Sequence, residues 1–141
     1  MKGANQNRKG ILVIQSMGLG DLLCAIPVLK VVKRAYPDEP VTFLTSFQNA
    51  ELLSIISEVK EIISYRSKSL SEIFNLISRI RSCSFRMVLV LNPIFRGSIL
   101  AWCSGADVRI GYLRDYERKQ SMRGFERLFL THSYVPRDEK M

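Results

Sequence analysis

Six residues near the start of the chain, Ser16-Met17-Gly18-Leu19-Gly20-Asp21, are of the types from which a binding or catalytic turn is made. Glycines let a backbone approach a ligand closely, and the N–H groups that open a helix attract anions. A carboxylate in such a turn is favoured in its ionised form by the helix dipole, and an ionised acid can take a proton from a substrate hydroxyl as general base. Three readings of the turn compete. A dinucleotide site wants G-x-G-x-x-G with an acid about 20 positions further on. Gly18 and Gly20 fit, but Leu23 stands in the third glycine's place, and the next strand-like run closes on Thr45-Ser46 without an acid. A P-loop fails, because no Gly-Lys-Ser/Thr occurs in the chain. The blander reading is a tight turn permitted by Gly18 and Gly20, with Asp21 capping the helix. It does not exclude the chemistry.

Such a turn needs a strand before it and a helix after it. Gly10-Ile-Leu-Val-Ile14 is apolar and rich in β-branched residues, the pattern of a strand buried on both faces of a parallel sheet. The following pattern places Leu22, Ile26, Leu29 and Val32 on one helical face, with Lys30, Lys33 and Arg34 mostly off it. Pro27 interrupts it, which predicts a helix starting near Ala25 or a kink there; Tyr36-Pro37-Asp38 ends it. Strands are expected at 41–45, 59–65, 86–91, 108–110 and 129–135, and short helices at 49–56 and 98–103, the latter stopped by a left-handed Gly105. The clearest helix spans 69–81: Ser69 and Glu72 make a capping box, and Leu70, Ile73, Phe74, Ile77 and Ile80 share a face. Residues 113–127 read as a loop or irregular helix, and 1–9 as a polar, flexible lead-in. Alternating strands and helices joined by right-handed crossovers predict one α/β domain over 1–141, a Rossmann-like parallel sheet with helices on both faces.

Composition narrows the partners. Twenty-one Lys and Arg against thirteen Asp and Glu leave a net charge of +8, which suits nucleic acid, a phosphorylated substrate or an anionic membrane. No apolar run reaches the roughly 18 residues that span a bilayer, and no signal-peptide pattern opens the chain, so a cytoplasmic location is expected. Cys24, Cys83 and Cys103 are widely spaced in apolar surroundings, and the single histidine is His132. Buried structural thiols and no metal site are the expectation.

The ordered set Ile11-Leu-Val-Ile14, Ser16-Met-Gly-Leu-Gly-Asp21, Pro27-Val-Leu-Lys30 and Arg34-Ala-Tyr-Pro37 resembles the start of glycosyltransferase family 9. That family holds the ADP-heptose:lipopolysaccharide heptosyltransferases. The similarity continues through Asn49-Ala-Glu-Leu-Leu53, Arg96-Gly-Ser-Ile-Leu-Ala101, Ser104-Gly-Ala106, Arg109-Ile-Gly-Tyr112, Leu130-Thr-His132 and Val135-Pro136. The resemblance implies the amino-terminal, acceptor-side half of a GT-B glycosyltransferase, with the carboxyl-terminal donor-binding domain absent from this length of chain. It implies an inverting transfer of heptose or a related sugar to a lipopolysaccharide core precursor, with no cofactor or required metal and a nucleotide sugar, ADP-heptose, as co-substrate. The family's catalytic aspartate falls on Asp21, and Ser16, Met17, Gly18 and Gly20 would bring backbone groups to the sugar and donor phosphates.

Arg96 falls where the family carries a basic residue and could pair with an acceptor carboxylate or phosphate. Arg109 could serve similarly; for each, a solvated or strand-edge arginine is the plainer reading. Many members have Gln-Gly-Asn or Pro-Asn-Ser after the fourth strand; this chain has Asn92-Pro93-Ile94, so no acceptor contact is assigned to Asn92. Without its donor half the domain is expected to be nearly inactive. Its partners would be an anionic glycolipid, a nucleotide sugar and the inner face of the inner membrane, where each well-placed base adds roughly 1 kcal/mol of attraction.

The competing function is a small basic α/β module that binds nucleotide or nucleic acid without catalysis. Its support is the net charge and the series Arg114, Arg118, Lys119, Arg123 and Arg127. Asp115, Glu117 and Glu126 interleave with that series, and no RNP, helix-turn-helix or zinc pattern occurs, so nucleic acid is not the expected partner.

Overall fold

The computed structural model describes residues 7–16, 18–66, 69–92, 95–112 and 128–134. The elements are β1 (Ile11–Ile14), α1 (Leu19–Ala35), β2 (Val41–Ser46), α2 (Phe47–Leu53), β3 (Glu61–Tyr65), α3 (Leu70–Ser82), β4 (Met87–Val90), α4 (Phe95–Cys103), β5 (Val108–Tyr112) and β6 (His132–Tyr134). Every strand pair is parallel, in the order β3-β2-β1-β4-β5-β6. The expected Rossmann-like α/β sheet is what forms. Its direction of winding reverses between β1 and β4, and in open parallel sheets the crevice beyond the strand ends at that point is where ligands bind.

Alternation along the strands divides the core into two layers. Ile11, Val13, Val41 and Phe43 face Leu22, Leu29 and Val32 of α1 and Leu53 of α2. Leu12, Ile14, Leu44, Val88 and Val90 point the other way, toward Ile80 of α3 and Ala101 of α4. All four β1 residues are buried. Each such aliphatic side chain contributes about 1.5–3 kcal/mol by leaving water, so the central strand is a rigid base for the turn that follows it.

Several local expectations change in the folded chain. α1 runs unbroken through Pro27, since packing of Leu22, Ala25, Leu29 and Val32 outweighs one lost backbone bond. α2 begins at Phe47, two residues early, after Ser46 in extended backbone. Ser69 does cap α3, accepting from the Glu72 N–H, while the Glu72 carboxylate accepts from the Arg66 N–H at 2.8 Å. The apolar side of α3 is divided: Ile80 is buried, but Leu70 and Phe74 are 75% and 70% exposed. Cys24 is exposed rather than buried, because it falls on the outer side of α1; Cys83 and Cys103 are half-buried. Gly105 stops α4 at φ +70°. β6 begins at His132, three residues later than expected, and Leu130 just before it turns into the core. Residues 1–6 of the expected lead-in and the 113–127 segment lie outside the described residues. No helix among those described is long and apolar enough to cross a membrane.

Candidate active site

Ile14 of β1 lies in register with Val90 of β4, so the β1–α1 turn and the β4–α4 connection leave the sheet side by side. The ladder continues one step past the strands: Gln15 N–H donates to Leu44 O at 3.0 Å, and Leu91 N–H to Ile14 O at 3.0 Å. Beneath the turn, the buried Asn92 amide donates to the buried Gln15 side-chain oxygen at 3.5 Å. Thr45 at the neighbouring end of β2 is also buried, and its hydroxyl has no partner among the described residues. Polar residues thus replace the apolar core just where the strands end. Sequence reading missed this floor. Its signal was a Gln, a Thr and an Asn directly closing three apolar runs.

Gly18, not Asp21, occupies the cap position of α1, with ordinary extended backbone (φ −61°, ψ 173°). Its carbonyl accepts the first helical bond from Leu22 N–H at 3.2 Å. Asp21 sits in the first turn, exposed, and its carboxylate makes no hydrogen bond or ion pair among the described residues. The cap position expected of it is therefore filled by another residue, and no described residue occupies either carboxylate oxygen, each of which can accept from a hydroxyl.

The fold does not itself require the two glycines. A methyl group placed on Gly18 or Gly20 would meet none of the described residues within 4 Å apart from its chain neighbours and its own helix backbone, and neither has the left-handed backbone that Gly10 and Gly105 have. Gly20 in a helix costs about 1 kcal/mol relative to alanine. No packing gain offsets that cost. At Gly97 on α4 the opposite holds: a methyl there would stand 2.7 Å from Val90 Cγ1, so the residue lets helix and strand touch.

Ser16 is half-buried at the foot of the turn, and Met17 lies outside the described residues. Arg96 is the second residue of α4, exposed, with no partner among the described residues. Ser16, Gly18, Gly20, Asp21 and Arg96 are thus gathered at the carboxyl edge of adjacent strands. Arg109 is not among them. It pairs in register with Val88, two residues short of that edge and one strand further from β1. Its guanidinium donates to Phe129 O at 2.7 Å and Ala106 O at 2.6 Å, and burial pushes its pKa down while Asp107 pulls it back up. Those bonds tie the chain before β6 to β5. The guanidinium does not reach toward the turn.

A cavity of about 230 Å³ lies at the other end of the sheet, over Ile11, Met87 and Val108 where β1, β4 and β5 begin. Its charged wall is already neutralised, since Arg86 pairs with Glu39 at 3.1 Å. Among the described residues no group of three His, Cys, Asp or Glu is placed to hold a metal ion.

No family model matches the chain. It is 27% identical over 119 residues to lipopolysaccharide heptosyltransferase 3 of Escherichia coli, which covers 80% of this chain. Two solved structures share its fold at TM-score 0.75 and 23% identity: the E. coli ADP-heptose lipopolysaccharide heptosyltransferase II, over 92% of this chain, and a glycosyltransferase of family 9 from Veillonella parvula, over 94%. The chain resembles the family 9 heptosyltransferases. It spans 34% of the curated relative and 36% and 37% of the two structures, so it corresponds to about a third of such a protein.

Proposed function

We propose that the chain is the acceptor-side domain of an inverting, metal-independent glycosyltransferase that moves heptose or a related sugar from ADP-heptose to an anionic lipopolysaccharide core precursor. The observation that carries this reading is the Asp21 carboxylate, without a partner among the described residues, on a glycine turn that those residues leave open, at the point where the sheet reverses direction. Heptosyltransferases are the proteins the chain resembles, and they set the substrate class.

In this reading an acceptor hydroxyl donates a hydrogen bond to Asp21. As its oxygen attacks the anomeric carbon from the face opposite the nucleotide, the proton passes to the carboxylate and the C–O bond to the diphosphate breaks. Attack from the opposite face inverts the anomeric configuration. Gly18 and Gly20 let the sugars approach the backbone, and the opening N–H groups of α1 stabilise charge on the departing diphosphate. Arg96 holds an acceptor carboxylate or phosphate through its guanidinium fork. The donor's nucleotide is held by a second domain, outside this length of chain.

The test is transfer from an ADP-activated heptose by the protein encoded by the full reading frame, with and without Asp21→Asn. A general base contributes about 100-fold or more, so the amide should lower kcat by at least that factor with little change in KM. Undiminished turnover removes Asp21 from the mechanism, and no transfer by the unaltered protein removes the substrate class.

A further inference from the structure

The helix that carries the turn has an outer side of unusual composition. Leu19, Leu23, Pro27 and Val31 are four residues apart, so they form one row along α1. Leu19, Leu23 and Val31 are 50%, 56% and 64% exposed, and Pro27 between them is exposed as well. Lys30 and Arg34 follow Pro27 by three and seven residues, on the same side, and both are exposed. The helix has a single acid, Asp21, which lies off the row. A water-facing helix would carry charge here and hide its leucines.

We propose that this row docks on an anionic lipid surface, the aliphatic side chains entering the headgroup layer and Lys30 and Arg34 pairing with acidic phospholipids. Charge complementarity selects this occupant. Apolar residues beside bases, with no acid among them, suit an anionic interface, and the chain's +8 adds long-range attraction. Pro27 has no N–H to offer the Leu23 carbonyl, and water at the headgroup level can satisfy that carbonyl on this exposed side of the helix. Docked this way, the turn at the start of α1 lies at the membrane surface, within reach of an acceptor sugar projecting from it. The proposal rests on the membrane-held acceptor of the preceding reading, because a soluble acceptor gives the row no such use.

α3 also exposes apolar residues, Leu70 and Phe74, but packs on the opposite layer of the sheet. That makes it an internal control. The chain should sediment with vesicles of phosphatidylglycerol and phosphatidylethanolamine at low salt at least ~10-fold more than with phosphatidylcholine vesicles. Leu23→Glu with Val31→Glu, and separately Lys30→Glu with Arg34→Glu, should each reduce binding by roughly 10-fold or more while circular dichroism and thermal unfolding stay as in the unaltered chain. Leu70→Glu with Phe74→Glu should leave binding unchanged. No preference for anionic vesicles overturns the proposal, as does undiminished binding by folded α1 variants or its loss in the α3 variant. A dimer that Leu23→Glu converts to monomer overturns it too, since a second copy then covers the row. Transfer by the full-length protein to a water-soluble, delipidated acceptor separates the two readings. Docking variants that bind poorly yet transfer to it normally support the lipid surface, and failure of the unaltered protein on it counts against the glycosyltransferase reading alone.

Discussion

The β1–α1 turn and the end of β5 both set glycine near a charged side chain, and the fold treats them in opposite ways. At β5 a methyl on Gly111 would stand 2.9 Å from Leu130 Cδ1, and the Arg109 guanidinium already donates to two carbonyls. Glycine and charge are both consumed by structure there. At the turn, a methyl on Gly18 or Gly20 meets nothing within 4 Å, and the Asp21 carboxylate has no partner among the described residues. Neither is tied up by a packing or side-chain contact among the described residues, so both remain for binding. A resemblance that ran through Asp21 and Arg109 alike could not tell these two situations apart. The side-chain bonds do.

The largest effects should separate the two regions by what they damage. Asp21→Asn is expected to cost about 100-fold or more in kcat while lowering stability by at most the ~0.3–1 kcal/mol that a charge in the first turn of a helix contributes, because the carboxylate has no partner among the described residues. Arg109→Met should do the reverse. It strips charged donors from the Phe129 and Ala106 carbonyls, and a lost hydrogen bond to a charged group costs about 1.5–3 kcal/mol. Urea unfolding should show that loss, with transfer by the surviving folded protein close to normal. A midpoint that falls as far for Asp21→Asn as for Arg109→Met, or that holds for Arg109→Met, would erase the distinction.

Glycine substitutions sharpen it at lower amplitude. Gly97→Ala forces a methyl to 2.7 Å from the buried, β-branched Val90, and overpacking of that kind costs about 1–3 kcal/mol, more than the ~1 kcal/mol of helix propensity that alanine returns. Gly20→Ala meets open space and should gain up to ~1 kcal/mol in stability. If the turn binds a ligand through a close backbone approach, the same methyl should raise KM. A Gly20→Ala protein that is more stable and equally active would make the glycine an accident.

How much of this could be read beforehand depended on how far apart the deciding contacts lie. The apolar runs of β1 and β4, the Ser69 cap and the Gly105 stop depend on near neighbours, and each formed as expected. Periodicity also found α1 and α3 but not which part of each apolar arc would be covered, since that depends on where the sheet ends beneath them. Leu70 and Phe74 were therefore placed with Ile80 and finish outside. Arg109 is the clearest case. Its carbonyl partner Phe129 is 20 residues away, and no local pattern announces such a bond. The buried Gln15–Asn92 pair spans 77 residues and was equally hidden.

The smallest expected effect is a pH dependence at the opposite end of the sheet from the turn. The Gly10 N–H, donating to Glu39, lowers that carboxyl's pKa most; burial opposes it, and Arg86 at 3.1 Å lowers it further. With the folded pKa below the unfolded one, the unfolded chain binds the proton first as pH falls. Glu39 therefore contributes stability that is present above the ordinary carboxylate range and lost as pH drops through the folded value. Glu39→Gln should flatten the acid limb of a plot of stability against pH, and should leave the pH profile of kcat untouched because the group is remote from Asp21. A shifted kcat profile would couple the two ends of the sheet. An unflattened acid limb would mean that the Gly10–Glu39–Arg86 contact holds no more proton-linked stability than an exposed ion pair.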